Sequence, residues 1–279
     1  MIAHVIIREK IDLILVINMK LNTLLNYQIH QPETAAIANL PIVLIHGLFG
    51  DLNNLGVLGR DLRQDHTVIQ IDVRNHGHSP HSESMHYHDM AQDVLTLLDS
   101  LNIAKAIVIG HSMGGKIAMA MTALAPLRLE RIVVIDMSPV AYNVRRHDKI
   151  FAALDAVTKA HITQRTEAIA IMRPFIEEDG VIQFLLKSFK KGEWLFNLPA
   201  IKQAYPDIIG WQEVPTWQHP VLFIRGGLSP YILDEYRDNI ARQFPQATAF
   251  VVANTGHWVH SEKPETVIKA IRRFLAKTV

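Results

Sequence analysis

The sequence predicts an α/β fold: a mostly parallel central sheet flanked by helices, with an inserted helical cap. Short, nearly continuous runs of β-branched and aliphatic residues recur along the chain with helical segments between them, the pattern of strands buried on both faces. Between Pro139 and Trp217 that rhythm stops, and apolar residues recur three or four apart instead, as on amphipathic helices. The chain has 279 residues, 49% of them apolar and 20% charged, enough for a sizeable core in one large domain and no indication of disorder.

The first segment fits none of this. Ile11 to Ile17 is apolar except for Asp12 and follows Arg8, Glu9 and Lys10. It is too short to span a bilayer and has no small-residue cleavage site behind it. Residues 1–18 are therefore expected to be an extension outside the fold, with Met19-Lys20-Leu21 opening the first strand. Strands follow at Pro41-Ile42-Val43-Leu44-Ile45, Thr67-Val68-Ile69-Gln70-Ile71, Ala106-Ile107-Val108-Ile109 and Arg131-Ile132-Val133-Val134-Ile135. The cap is assigned to 140–216, with helices expected over Asp148–Val157, Thr163–Ile176, Val181–Phe189 and Pro199–Tyr205. Val221–Ile224 and Ala249–Val252 resume the strand series, and a closing helix runs over Thr266–Leu275, beginning at Pro264. The core thus comprises 19–139 and 217–279. A block inserted between two strands should cover their carboxyl ends, where open sheets of this kind keep their sites.

Gly110-His111-Ser112-Met113-Gly114-Gly115 lies between a strand and the helical run Lys116-Ile117-Ala118-Met119-Ala120-Met121. A G-x-S-x-G sequence in that setting is a nucleophile elbow. Its turn is so sharp that Gly110 and Gly114 are needed where a Cβ would meet neighbouring backbone, and it lifts the Ser112 hydroxyl clear of the sheet. Serine is a poor nucleophile until an imidazole removes its proton, and that imidazole needs an orienting carboxylate. Asn254-Thr255-Gly256-His257-Trp258 follows the last strand, so His257 is the expected base, ahead of His260, which lies farther from the strand end. For the acid, the loop after the penultimate strand reads Gly226-Gly227-Leu228-Ser229-Pro230. Ser229 stands where an aspartate is often found, and an uncharged hydroxyl does not stabilise an imidazolium as a carboxylate does. Asp136, at the carboxyl end of the preceding strand, takes the role, with Asp234 and Asp238 as more distant alternatives.

A developing oxyanion needs two N–H donors. Met113 N–H, beside the nucleophile, is one. Leu48 N–H, in the His46-Gly47-Leu48-Phe49-Gly50 loop, is the other, and Phe49 and Arg145 are candidate substrate-binding residues. Asp72-Val73-Arg74-Asn75-His76-Gly77-His78-Ser79 reads as a structural loop. His76, His78, His81, His86 and His88 read as a polar surface loop, not a metal site, since cysteine is absent and carboxylates such as Glu83 and Asp89 are scattered. Arg145, Arg146, His147 and Lys149 form a basic group at the cap that reads as a solvated face, or as a site for a phosphate-bearing substrate. Trp194, Trp211, Trp217 and Phe189 read as cap core. A formal net charge of +1 argues against nucleic acid as a partner and against strong electrostatic attraction to membranes. The lack of cysteine excludes disulfides and a thiol nucleophile, and a cytoplasmic location is consistent with it.

The elbow, the His-Gly-Leu-Phe-Gly loop, the Val-Arg-Arg-His-Asp segment and the Gly-His-Trp-Val-His ending together resemble the α/β-hydrolase superfamily, and within it the bacterial YbfF-type esterases. The resemblance runs from about Met19 to near the C-terminus; residues 1–18 have no counterpart. It implies an α/β-hydrolase core with a small helical cap, and hydrolysis of short-chain carboxylic esters and acyl-CoA thioesters without a cofactor. It also implies Ser112 as nucleophile, Asp136 as acid, His257 as base and Ser229 as an accessory residue near them. Perhydrolases, acyltransferases and C–C hydrolases share the elbow, as does a ligand-binding receptor with vestigial hydrolysis. Dehalogenases and epoxide hydrolases require aspartate at the position of Ser112.

Overall fold

The computed structural model describes residues 24–32 and 39–277. Its strands, in chain order, are β1 (Tyr27–His30), β2 (Ile42–Ile45), β3 (Val68–Ile71), β4 (Ala106–His111), β5 (Leu129–Ile135), β6 (Phe189–Lys190), β7 (Glu193–Trp194), β8 (Val221–Gly226) and β9 (Ala247–Val252). Seven of them form one sheet in the order β1-β3-β2-β4-β5-β8-β9. All neighbours are parallel except β1, which runs antiparallel to β3. The mostly parallel sheet expected from the sequence is therefore present. The strand expected at Met19–Leu21 and the extension at 1–18 lie outside the described residues. β1 has three of its four residues exposed, so it lacks the continuous apolar run by which the other strands are read.

Side-chain alternation along the buried strands builds two cores at once. Val43, Ile45, Ile69, Ile71, Val108 and Val134 face one cluster, against the helices Tyr87–Ser100 and Met113–Leu124. Ile42, Leu44, Val68, Ile109, Val133 and Ile135 face the other, against Gly56–Leu62 and Pro264–Leu275. Both faces are thus covered, and loops that bear functional groups are confined to the strand ends.

Between β5 and β8 the chain forms the helices Asp148–Lys159, Arg165–Met172, Asp179–Leu186, Leu198–Gln203 and Tyr205–Ile209, with the β6–β7 hairpin before the last two. The helix expected over Thr163–Ile176 is shorter, running over Arg165–Met172, and Pro174 has no N–H with which to continue its ladder. The helix expected to reach Phe189 ends at Leu186, and Phe189 joins the hairpin, its ring 4.8 Å from that of Trp194.

The turn between β4 and the helix Met113–Leu124 is tight. Ser112 adopts φ 54°, ψ −119°, a region costly for any residue with a Cβ. A Cβ on Gly110 would collide with the Gly114 carbonyl, and one on Gly114 with the Ile45 carbonyl of β2. Neither obstacle is a flexible side chain, so relief requires moving backbone between strands. Gly114→Ala should therefore destabilise the protein by about 3 kcal/mol or more, seen as a lowered thermal midpoint or loss of soluble protein; a midpoint equal to wild type would contradict this packing.

Candidate active site

Ser112 and Asp136 continue the sheet's hydrogen-bond ladder beyond its strands. Ser112 N–H donates to Ile135 O at 2.9 Å and Asp136 N–H to Ile224 O at 2.8 Å. Both residues then turn out of the sheet with positive φ, which ends the ladder and aims their side chains over the strand ends. His257 follows β9 on the loop Ala253–Trp258.

The three side chains meet. His257 Nε2 lies 2.9 Å from Ser112 Oγ, and His257 Nδ1 lies 2.7 Å from Asp136 Oδ2. Asp136 is completely buried and accepts further hydrogen bonds from Gly226 N–H, at 2.9 Å, and from the Ser229 hydroxyl. A carboxylate so placed only accepts, so the imidazole proton sits on Nδ1 and Nε2 presents its lone pair to the serine hydroxyl. Two contacts not evident in the sequence hold the ring. Tyr231 stacks on it at 4.1 Å, and His111 Nε2 donates to the His257 carbonyl at 3.0 Å. Ser229 touches the same carboxylate oxygen as His257. His260 lies behind, with its ring 4.2 Å from that of His111, while Asp234 and Asp238 are exposed on the surface.

Leu48 and Met113 line the same space as Ser112, and the N–H group of neither has a hydrogen-bond acceptor among the described residues. The Leu48 loop is braced by two imidazoles. His46 Nδ1 donates to Gly47 O at 2.8 Å and its Nε2 accepts Val73 N–H at 3.0 Å. His76 Nδ1 donates to Arg74 O at 2.9 Å and its Nε2 accepts Phe49 N–H at 3.1 Å. His78, His81, His86 and His88 are exposed, as a polar surface loop requires, but His76 is buried, because it serves this loop. No group of three or more His, Asp or Glu among the described residues is arranged to hold a metal ion. Asp72 accepts from Leu52 N–H, His78 N–H and Asn26 Nδ2, which gives its loop a structural part.

Ser112 borders two cavities. One of about 190 Å³ contains His257, His111, Trp258 and Lys187. The other, about 30 Å³, contains Leu48, Met113, Tyr142, Arg146 and Tyr231. Phe49 is buried among the rings of Phe151, Phe196 and His147 and lines neither. Arg145 pairs with Asp148 at 3.0 Å and lies over Tyr205, whereas its neighbour Arg146 reaches the smaller cavity. The two alternate across an irregular segment whose facing no periodicity announces.

The profile of the alpha/beta hydrolase family matches residues 42–270. The chain is 58% identical to esterase YbfF of Escherichia coli (strain K12) over 237 residues, which is 85% of this chain and 93% of that protein. It is 38% identical to the mouse (Mus musculus) sn-1-specific diacylglycerol lipase ABHD11, over 86% of this chain and 82% of that protein. Among solved structures, a marine microorganism esterase superposes with a TM-score of 0.84 at 31% identity, over 90% of this chain and 99% of that one. No helix among the described residues is long and apolar enough to cross a membrane.

The imidazoles packed around the three central side chains are held neutral. Desolvation by burial lowers the pKa of His76 and of His260 to about 3 and that of His147 to about 4, and lowers His46 and His111 as well. In the unfolded chain these rings take up protons near pH 6.5. Between that pH and about 3 the unfolded state binds more protons than the folded one, so stability falls as the pH falls through this window. The thermal midpoint should decrease steadily from pH 7 to pH 5; a flat profile there would show that these rings are not buried in neutral form.

Proposed function

The chain belongs to the alpha/beta hydrolase family, and we propose that it is a carboxylic ester hydrolase working through Ser112, His257 and Asp136. The observation that carries this reading is the continuous pair of contacts from Ser112 Oγ to His257 Nε2 at 2.9 Å and from His257 Nδ1 to Asp136 Oδ2 at 2.7 Å. His257 takes the Ser112 proton as Oγ attacks the ester carbonyl. The oxyanion that forms is held by the N–H groups of Met113 and Leu48, which have no other acceptor among the described residues, and the positive end of the helix that starts at Met113 adds to their effect. His257 then gives its proton to the departing alcohol, leaving an acyl-serine. Water, activated by the same Nε2, completes hydrolysis. Ser229 holds the Asp136 oxygen that faces the imidazole, a supporting role.

We infer that short-chain acyl-CoA thioesters are also substrates. Lys187 stands exposed at the wall of the 190 Å³ cavity that also contains His257, where phosphates of a bulky anionic leaving group would meet positive charge. The insert between β5 and β8 acts as the cap, since it supplies Tyr142, Arg146, His147 and Tyr205 to the smaller cavity.

A fluorophosphonate probe followed by peptide mapping should label Ser112 alone, and p-nitrophenyl esters and acyl-CoAs should be hydrolysed to free acid. Ser112→Ala should abolish labelling and lower kcat by at least about 10³-fold with the fold intact. Asp136→Asn should lower kcat by about 10³–10⁴-fold, and Ser229→Ala by far less. Labelling elsewhere would refute the assignment of the nucleophile, and equal losses for Asp136→Asn and Ser229→Ala would refute the division of roles between them.

A further inference from the structure

The carbonyl oxygens of three consecutive residues, Ile208, Ile209 and Gly210, are held by two buried side chains from the core. Tyr87 Oη donates to Ile208 O at 2.6 Å. Lys116 Nζ donates to Ile209 O at 3.2 Å and to Gly210 O at 2.7 Å. Lys116 is wholly buried and has no carboxylate partner among the described residues. Its ammonium lies instead over the rings of Tyr142, Tyr87 and Trp211, at 4.8, 5.4 and 5.8 Å from their centroids. Burial alone draws its pKa down to about 7. A charged donor shared by two carbonyls and facing aromatic rings is a strong local fastening, though burying it carries a desolvation cost that an apolar side chain would avoid.

This fastening stands between two cavities. Tyr87, Ile208 and Ile209 line the 30 Å³ space beside Ser112. Tyr87 also lines a cavity of about 640 Å³, with Pro206, Gly210 and Trp211. The helix that carries Lys116 does the same: Met113, one turn before it, borders the small space, and Ala120, one turn after it, borders the large one. The leaving group of an ester must lie where His257 can protonate it. His257 lines the 190 Å³ cavity and not the 30 Å³ one, so the acyl chain is directed into the smaller space, which has room for about one or two water-sized groups.

Resting on the ester-hydrolase reading above, we propose that Tyr87 and Lys116 form the partition that ends the acyl pocket and so set the length of acyl chain accepted. These two side chains fasten the main-chain carbonyls of 208–210 to the core, so the wall resists displacement by a longer chain. Removing either fastening side chain opens the small space toward the large one.

The test is kcat/KM on a p-nitrophenyl ester series from acetate to decanoate, for wild type, Tyr87→Ala, Lys116→Met and Trp211→Ala, with fluorophosphonate labelling of wild-type Ser112 alongside. Wild type should favour the shortest esters. The decanoate-to-acetate ratio of kcat/KM should rise by about tenfold or more in Tyr87→Ala and Lys116→Met, mainly through a lower KM for decanoate. Trp211→Ala, which thins the wall from the far side, should shift the ratio in the same direction and gives the readout if the other two fail to fold. A general loosening would depress all esters together and leave the ratio unmoved; an unmoved ratio in the folded variants, with wild-type Ser112 labelled, overturns the partition alone. Wild-type protein that is neither labelled nor hydrolytic overturns the ester-hydrolase reading instead.

Discussion

A carboxylate withdrawn completely from water governs the geometry around Ser112. Asp136 accepts from a backbone N–H, a serine hydroxyl and an imidazole, and a buried anion with fewer partners would be strongly disfavoured. Because it only accepts, it determines which nitrogen of His257 carries the proton, and thus which one is left to face Ser112. Tyr231 stacked on the ring and His111 holding the adjacent carbonyl leave that imidazole little freedom. Such preorganisation is what proton transfer at a serine hydroxyl requires, since reorganisation at the moment of reaction is avoided.

The supporting shell is built in the same manner, from polar groups that are buried and fully committed. His46 and His76 each donate to a carbonyl and accept from an N–H, a pairing open only to the neutral ring. Together they hold the loop on either side of Leu48, whose own N–H has no partner among the described residues. Ser112 and Asp136 are held at positive φ by backbone that sits beside neighbouring strands. Unfavourable conformations persist when the surroundings over-determine them, and they gather where chemistry needs a particular aim.

The insert between β5 and β8 contributes shape more than reactivity. Its residues form much of the small space beside Ser112, and its last short helix, Tyr205–Ile209, is fastened to the core by Tyr87 and Lys116. The helix that begins at the elbow therefore touches two places. Its first residue, Met113, lines the space beside Ser112, and its fourth, Lys116, holds the carbonyls of Ile209 and Gly210. Volume alone would direct attention to the 640 Å³ cavity, yet Ser112 and His257 are not among its lining; it is the placement of the hydroxyl and imidazole that identifies the smaller spaces as the ones of interest.

The amino-acid sequence by itself determined the sheet, its parallel core strands, the elbow and the closing helix, because each depends on short-range facts. Gly110 and Gly114 are dictated by collisions within a few residues and with one adjacent strand, and β-branched runs declare buried strands wherever they stand. Asp136 was legible because Ser229 occupies the alternative position and because strand ends are where such groups gather. Tertiary structure alone decided the rest. The exposed edge strand Tyr27–His30 has no apolar run to betray it. His76, read as part of a polar loop, is buried since Phe49, 27 residues away, brings an N–H to its ring. Lys116 looked like one more helical residue, yet it binds carbonyls 93 and 94 positions downstream. Steric exclusion and burial periodicity are properties of neighbouring residues and can be read along a chain, whereas the partner of a buried polar group is whatever the completed packing places against it.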